Sequence, residues 1–244
     1  MTYKRNVVSL VSIAVLTTAL YAGADYILTK NHLVPEAEVL EAVPDDMVSD
    51  ESEAKSALFS PELEKDMAEK YKRAYAKNSD IIGWIFVPDS NVDYPICSGN
   101  NNYYLNYTSE KEPSAAGSIF LDENQITFND VSLIHGHNMK NGTMFSTLKK
   151  FKNEDFFNSH NVYIYDGTTV RVFKAIGFTR VGADSTFNLN VSGDAQIREY
   201  AEQLTSKSIH PRPDSFSGNP LLILNTCVSD GSNDHFIVTT QEVK

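Results

Sequence analysis

Residues 221–227 read Leu-Leu-Ile-Leu-Asn-Thr-Cys, four apolar residues with the pattern of a buried strand and a thiol at its end. A side chain at a strand end leaves the core and meets a loop, where a thiolate can serve as a nucleophile. Residue type alone favours the alternative, in which Cys227 is a small buried hydrophobe, and the strand-end position offsets that bias to leave the two readings even. A second segment, Leu133-Ile134-His135-Gly136-His137-Asn138, has the form of a strand running into an Asn/Gly loop that ends at Gly142. Period two places His135 and His137 on one side of that strand, and one imidazole can then meet Cys227 across a sheet as a general acid or base. An inert, hydrogen-bonded histidine and a metal pair are the competing readings. Two histidines without a clear carboxylate or third ligand make a weak zinc site, so no metal and no cofactor is expected.

The elements that must position these groups are mostly strands. Ile81 to Val87 and Val92 to Cys97 flank a Pro-Asp-Ser-Asn turn, and Asn161 to Tyr165 and Thr169 to Ala175 flank Asp166-Gly167, a hairpin signal. Gly117 to Leu121, Val131 to His135, Ile176 to Val181, Leu221 to Thr226 and His235 to Thr240 add further candidates. About eight short strands in succession predict a closed barrel or a sandwich. Ser60-Pro61-Glu62 opens a helix whose apolar residues recur at helical spacing as far as Asn78. Met144 to Phe151 and Ala195 to Leu204 are shorter helical patterns, and the second is placed to wall one side of a groove. Tyr103, Tyr104 and Tyr107 are read as packing rather than a ligand cage.

The chain has 244 residues, 41% hydrophobic and 22% charged, enough for one sizeable core or two small ones. Its net charge of -11 repels a phosphate backbone, which argues against a nucleic-acid partner. Cys97 and Cys227 are the only cysteines and have no C-x-x-C spacing, so neither a disulfide framework nor a zinc knuckle is indicated. From Asn6 to Leu28 the only charge is Asp25, and Lys4 and Arg5 precede the run. About 20 apolar residues cross a bilayer as a helix, and the basic pair favours a cytoplasmic N-terminus. Ala22-Gly23-Ala24 leaves a cleaved signal peptide as the alternative. Residues 31–54 hold eight acids and no Lys or Arg, the composition of an extended spacer. The expected organisation is a cytoplasmic tail and anchor over 1–30, an acidic linker over 31–58 and an extracellular domain over 59–244.

Taken together, Gly136-His137-Asn138-Met139-Lys140-Asn141-Gly142-Thr143-Met144-Phe145, Leu148-Lys149-Lys150-Phe151 and Leu224-Asn225-Thr226-Cys227 resemble the class B sortases, cell-wall transpeptidases of Gram-positive bacteria. Gly83-Trp84-Ile85, Tyr94-Pro95-Ile96 and Ala116 to Asp122 are similar to that class as well, so the resemblance runs from about residue 60 to the C-terminus. It implies an eight-stranded barrel with a leading helix and an extra helix beside the substrate groove. It also implies that Cys227 is the nucleophile and His137 the general acid or base, with Asn225, Thr226 and Asn138 at the substrate. The implied reaction cleaves an Asn-Pro-x-Thr-x sorting motif after Thr and passes the acyl group from a thioester to a peptidoglycan cross-bridge amine or lipid II, at the outer face of the membrane.

One family feature is missing. Sortases carry an arginine on the strand after the cysteine, whereas here that strand begins His235-Phe236-Ile237-Val238 and only Lys244 is basic beyond Cys227. Strand alignment gives His235 the arginine's place. An imidazole of ordinary pKa, about 6.5, is roughly one-quarter protonated at pH 7 and lacks the forked donors of a guanidinium. His235 is therefore expected to be a partial substitute, with Arg171, Arg180 and Arg198 as other sources of positive charge. Two rival readings remain: a papain-like peptidase, opposed by the order of His137 before Cys227, and a catalytically silent module that binds the sorting peptide.

Overall fold

The computed structural model describes residues 58–212 and 216–243. The apolar run at residues 6–28 and the acidic stretch at 31–54 lie outside the described residues. Among those described, no helix is long and apolar enough to cross a membrane.

Helix α1 spans Pro61–Tyr75, with Ser60 Oγ accepting from the Leu63 N–H, acids in the first turn and Lys72 and Arg73 in the last. It stops before Asn78 because the buried Asn78 side chain bonds elsewhere: its oxygen accepts from the Asp80 N–H, and its nitrogen donates to the Tyr104 hydroxyl and the Ser109 carbonyl. Met67 on the inner face of α1 packs with Phe59, Val170 and Val172.

Eight strands close a barrel: β1 (Ile81–Phe86), β2 (Asp93–Cys97), β3 (Ile119–Leu121), β4 (Val131–His135), β5 (Asn161–Tyr165), β6 (Val170–Val181), β7 (Leu221–Cys227) and β8 (His235–Glu242). Their order around the ring is β1-β2-β3-β4-β7-β8-β6-β5, with β5 pairing back to β1. The β2/β3 and β4/β7 pairs are parallel and the rest antiparallel. Besides α1, the described residues hold α2 (Asn101–Tyr104), a 3-10 helix (Phe145–Lys152), α3 (Glu154–Ser159) and α4 (Asp194–Thr205).

Segments read separately as Thr169 to Ala175 and Ile176 to Val181 form the single strand β6, whose register shifts between Ala175 and Gly177. The irregularity lies where α4 comes down onto the sheet: a Cβ on Gly177 would sit 2.5 Å from Thr205 Cγ2. Helices α2 and α3 have too few residues to show a periodic pattern, and the stretch read as a helix from Met144 tightens into the 3-10 form. Tyr103 stacks on Tyr107 with centroids 4.4 Å apart, and Tyr104 is buried against Phe120, so this group does pack rather than form a cage.

Alternation along the strands divides the core in two. Ile134, Leu222, Leu224 and Val238 point into the barrel, where they meet Ile85, Phe145 and Phe173. Leu133, Ile223 and Ile237 point outward and are covered by Ile197 and Ala201 of α4. Each fully buried aliphatic of this kind contributes roughly 1.5–3 kcal/mol, which is what holds α4 against the barrel.

Gly177→Val should force Thr205 and α4 away from β6. An overpacked site of this type costs about 1–3 kcal/mol, read as a lower urea midpoint for the full chain; an unchanged midpoint would show that α4 yields without cost.

Candidate active site

The β4/β7 pairing sets the geometry, with His135 opposite Asn225 in parallel register. Three hydrogen bonds extend the association past the end of β4. The Gly136 N–H donates to the Asn225 carbonyl (3.2 Å), Thr226 Oγ1 donates to the Gly136 carbonyl (2.8 Å), and Asn138 Nδ2 donates to the Cys227 carbonyl (2.8 Å). His137 lies between these anchored residues, so it is carried to the end of β7 that bears Cys227. Gly136 is required on this path, because a Cβ there would come 2.4 Å from Ile119 Cδ1 and 2.8 Å from the Phe145 ring.

The His137 carbonyl accepts from the Phe145 N–H at 2.9 Å, and the ring Nε2 lies 2.9 Å from the Leu105 carbonyl. A carbonyl only accepts, so Nε2 carries a proton and Nδ1 is left for acid–base work. Cys227 is exposed and is not in a disulfide. Cys97 is the opposite case: it is fully buried, and desolvation pushes its thiol up to about 12.

Across β7 on the other side, Cys227 is paired with His235 of β8. The side chains of Asn225, Cys227 and His235 lie on the outer face, in line with Ile223 and Ile237. His235 Nδ1 is 3.0 Å from Asn225 Oδ1. Burial first, and then the neighbouring His135, hold the His235 imidazolium below the ordinary histidine value, with Asp234 acting in the opposite direction. Two of the three arginines considered as substitutes are committed. Arg171 forks onto Glu242 at 2.8 and 2.9 Å, at the far end of β8. Arg180 binds Asp234, Asp230 and Ser232 at 2.7, 2.7 and 3.0 Å and pins the β7–β8 loop.

Beside this centre lies a cleft of about 470 Å³ whose lining includes Asp122, His135, Asn225, His235, Phe187 and Leu189. Its outer wall is formed by residues 181–189 rather than by α4. The helix instead braces that wall, with Tyr200 accepting from the Asn188 N–H at 2.8 Å. Of the predicted substrate residues, Asn225 lines the cleft, the buried Thr226 holds Gly136, and Asn138 holds Cys227. Asp122 and His135 are parts of the cleft that the sequence reading left without a role. Their joint position came from a β3/β4 pairing that no local pattern announces; His135 was visible only as the same-face neighbour of His137. Among the described residues no group of three or more His, Cys, Asp or Glu could hold a metal ion.

A family model described as a sortase domain matches residues 85–243. The chain is 32% identical to Sortase B of Listeria monocytogenes over 156 residues, 62% of this chain and 63% of that protein. It is 28% identical to Sortase B of Staphylococcus aureus over 139 residues, 54% of this chain and 56% of that one. The matches thus span somewhat under two thirds of these curated relatives. The crystal structure of Clostridium perfringens Sortase B superposes with a TM-score of 0.64 at 32% identity, covering 71% of this chain and 99% of that chain.

The two thiols should differ sharply toward iodoacetamide. Mass spectrometry of the native protein should show Cys227 alkylated and Cys97 untouched until denaturant is added; labelling of Cys97 in the native state would contradict its burial.

Proposed function

This chain belongs to the sortase family, in its class B branch, and on that premise we propose that it is a cysteine transpeptidase that anchors proteins to the bacterial cell wall. The observation that carries the reading is the solvent-exposed thiol of Cys227 on the strand to which the His137 segment is tied by three hydrogen bonds.

The reaction consists of two acyl transfers. The Cys227 thiol gives its proton to His137 Nδ1, and the resulting thiolate attacks the threonine carbonyl of an Asn-Pro-x-Thr-x sorting signal. The tetrahedral adduct collapses to a thioester, and the C-terminal fragment leaves as an amine that takes a proton from His137 Nδ1. An amino group of the peptidoglycan cross-bridge, free or on lipid II, then attacks the thioester. His137 accepts its proton, and a new amide bond forms as the thiolate is released. Water is the competing nucleophile. The cleft beside His235 holds the sorting peptide, with Asn225 at its floor, Thr226 and Asn138 fixing the thiol end of β7, and the wall at 181–189 against the peptide. His235, opposite Cys227, stands where the family's arginine would meet the developing oxyanion. The apolar run at residues 6–28 fits a single-pass anchor, with the barrel outside the cell at the end of the acidic spacer.

Incubation with a labelled Asn-Pro-x-Thr-x peptide should give a thioester on Cys227, detected by mass spectrometry and lost in Cys227→Ala. Peptide that binds without forming an adduct would instead identify a silent binding module. His137→Ala should lower turnover about 10²–10⁴-fold. His235→Arg restores a permanent charge at the oxyanion and should raise transpeptidation at neutral pH, by up to about 10²–10³; a fall to the Cys227→Ala level would remove His235 from that role.

A further inference from the structure

Four polar side chains form an unbroken hydrogen-bonded line along the cleft. Asp122 Oδ2 lies 3.0 Å from His135 Nε2, His135 Nδ1 lies 3.1 Å from Asn225 Nδ2, and Asn225 Oδ1 lies 3.0 Å from His235 Nδ1. Asp122 and Asn225 are buried, and the two imidazoles are partly so. The line crosses three adjacent strands, with His135 on β4 opposite Asn225 on β7 and His235 on β8 diagonal to Asn225, and it starts at the residue following β3. In the transpeptidase reading it ends on the group assigned to the oxyanion.

The protons along this line follow from its first member. Asp122 is held well below the usual carboxylate range, first by its hydrogen bond with His135 and then by donors from Asn124 and Asn101, so it is an anion that only accepts. His135 must therefore donate from Nε2. A neutral ring with its proton there has a bare Nδ1, which accepts, and Asn225 must present its NH₂ to it. The amide oxygen then faces His235, whose Nδ1 must donate. A neutral His235 in that state has no proton on Nε2, the ring nitrogen for which the structure shows no protein partner among the described residues.

We propose that Asp122, His135 and Asn225 are positioning residues that hold the proton of His235 on Nδ1, so that His235 donates from Nε2 only after the line takes up one further proton. This inference rests on the transpeptidase reading for its catalytic meaning, though not for its test. The extra proton can enter at either ring with the same result. On His235 directly, it occupies Nε2. On His135 Nδ1, it turns the Asn225 amide over, so that the NH₂ donates to His235 Nδ1 and the remaining His235 proton moves to Nε2. In both states His235 presents an N–H where an oxyanion would develop, and in the starting state it presents a lone pair that repels one. The charged and titratable groups around His235 are His135 from β4, Asp122 after β3, Cys227 from β7 and Asp234 from the adjoining loop. Asp234 is neutralised from β6 by Arg180, which also binds Asp230.

The test is long-range ¹H–¹⁵N correlation of the full chain in detergent micelles, with ¹⁵N-labelled histidine. Its six histidines allow His235 to be assigned by comparison with His235→Gln. At alkaline pH wild-type His235 should show a protonated Nδ1 and a bare Nε2, and Nε2 should gain its proton as the pH falls. In Asp122→Asn the new amide can donate as well as accept, and in His135→Phe the Asn225 amide loses its anchor. Both variants should therefore show a mixture of His235 tautomers at alkaline pH. With a sorting peptide, kcat of wild type should fall at alkaline pH along the same titration. In both variants that fall should shrink severalfold, and Asp122→Glu should restore the wild-type profile. A wild-type His235 protonated on Nε2 at alkaline pH, or a tautomer unmoved in both variants, overturns the inference. If the tautomers behave as stated and no thioester forms with any peptide, the transpeptidase reading fails and the proton assignment stands.

Discussion

The parallel pairing of β4 with β7 is the constraint from which the rest of the site follows. Ninety residues separate His137 from Cys227 in the chain, and no local interaction could bring them together. The pairing does so through a ladder that begins in the core at Val131 and Leu221 and ends beside the cleft at the partly buried His135 and the buried Asn225. A one-residue slip would turn every side chain on β7 to the other face, sending Cys227 into the barrel and Leu224 into the cleft. Buried apolar residues on both faces of the two strands make such a slip expensive, so packing energy fixes the chemical geometry.

The same alternation explains how one strand can be both core and candidate site. Leu221 and Ile223 are covered by α4, and Asn225 and Cys227 continue their row beyond the cover into the open cleft. The polar residues of that row are not left unpaired. Asn225 uses both ends of its amide, Thr226 on the opposite face bonds to Gly136, and Arg180 gathers the acidic loop that follows the thiol. Rigidity around the exposed Cys227 thiol thus comes from satisfied hydrogen bonds rather than from burial of the thiol itself.

The run of short strands, the leading helix and the Cys227 and His137 motifs were legible because each is local, whereas the choice of a closed barrel over a sandwich came from the family resemblance. Period-two alternation, a Ser-Pro cap and an Asp-Gly turn all act within a few residues. The continuity of β6 was hidden because Gly177 breaks the pattern for a reason that lies in α4, and the shortening of α1 because Asn78 is drawn to Tyr104 and Ser109. Asp122 and His135 were unreadable for a deeper reason. A carboxylate and an imidazole acquire meaning from the distance between them, and that distance is set by strand order. His235, by contrast, was singled out by aligning its strand with the one that carries the family's arginine, and the register sets it opposite Cys227.

Closure of the ring has one more effect. Every strand has a neighbour on each side over part of its length, but the pairing of β6 with β5 ends at Lys174, and beyond it β6 pairs only with β8. The segment at 182–189 that lines the cleft lies outside this ladder and can vary in length and composition without disturbing the hydrogen bonds that close the barrel.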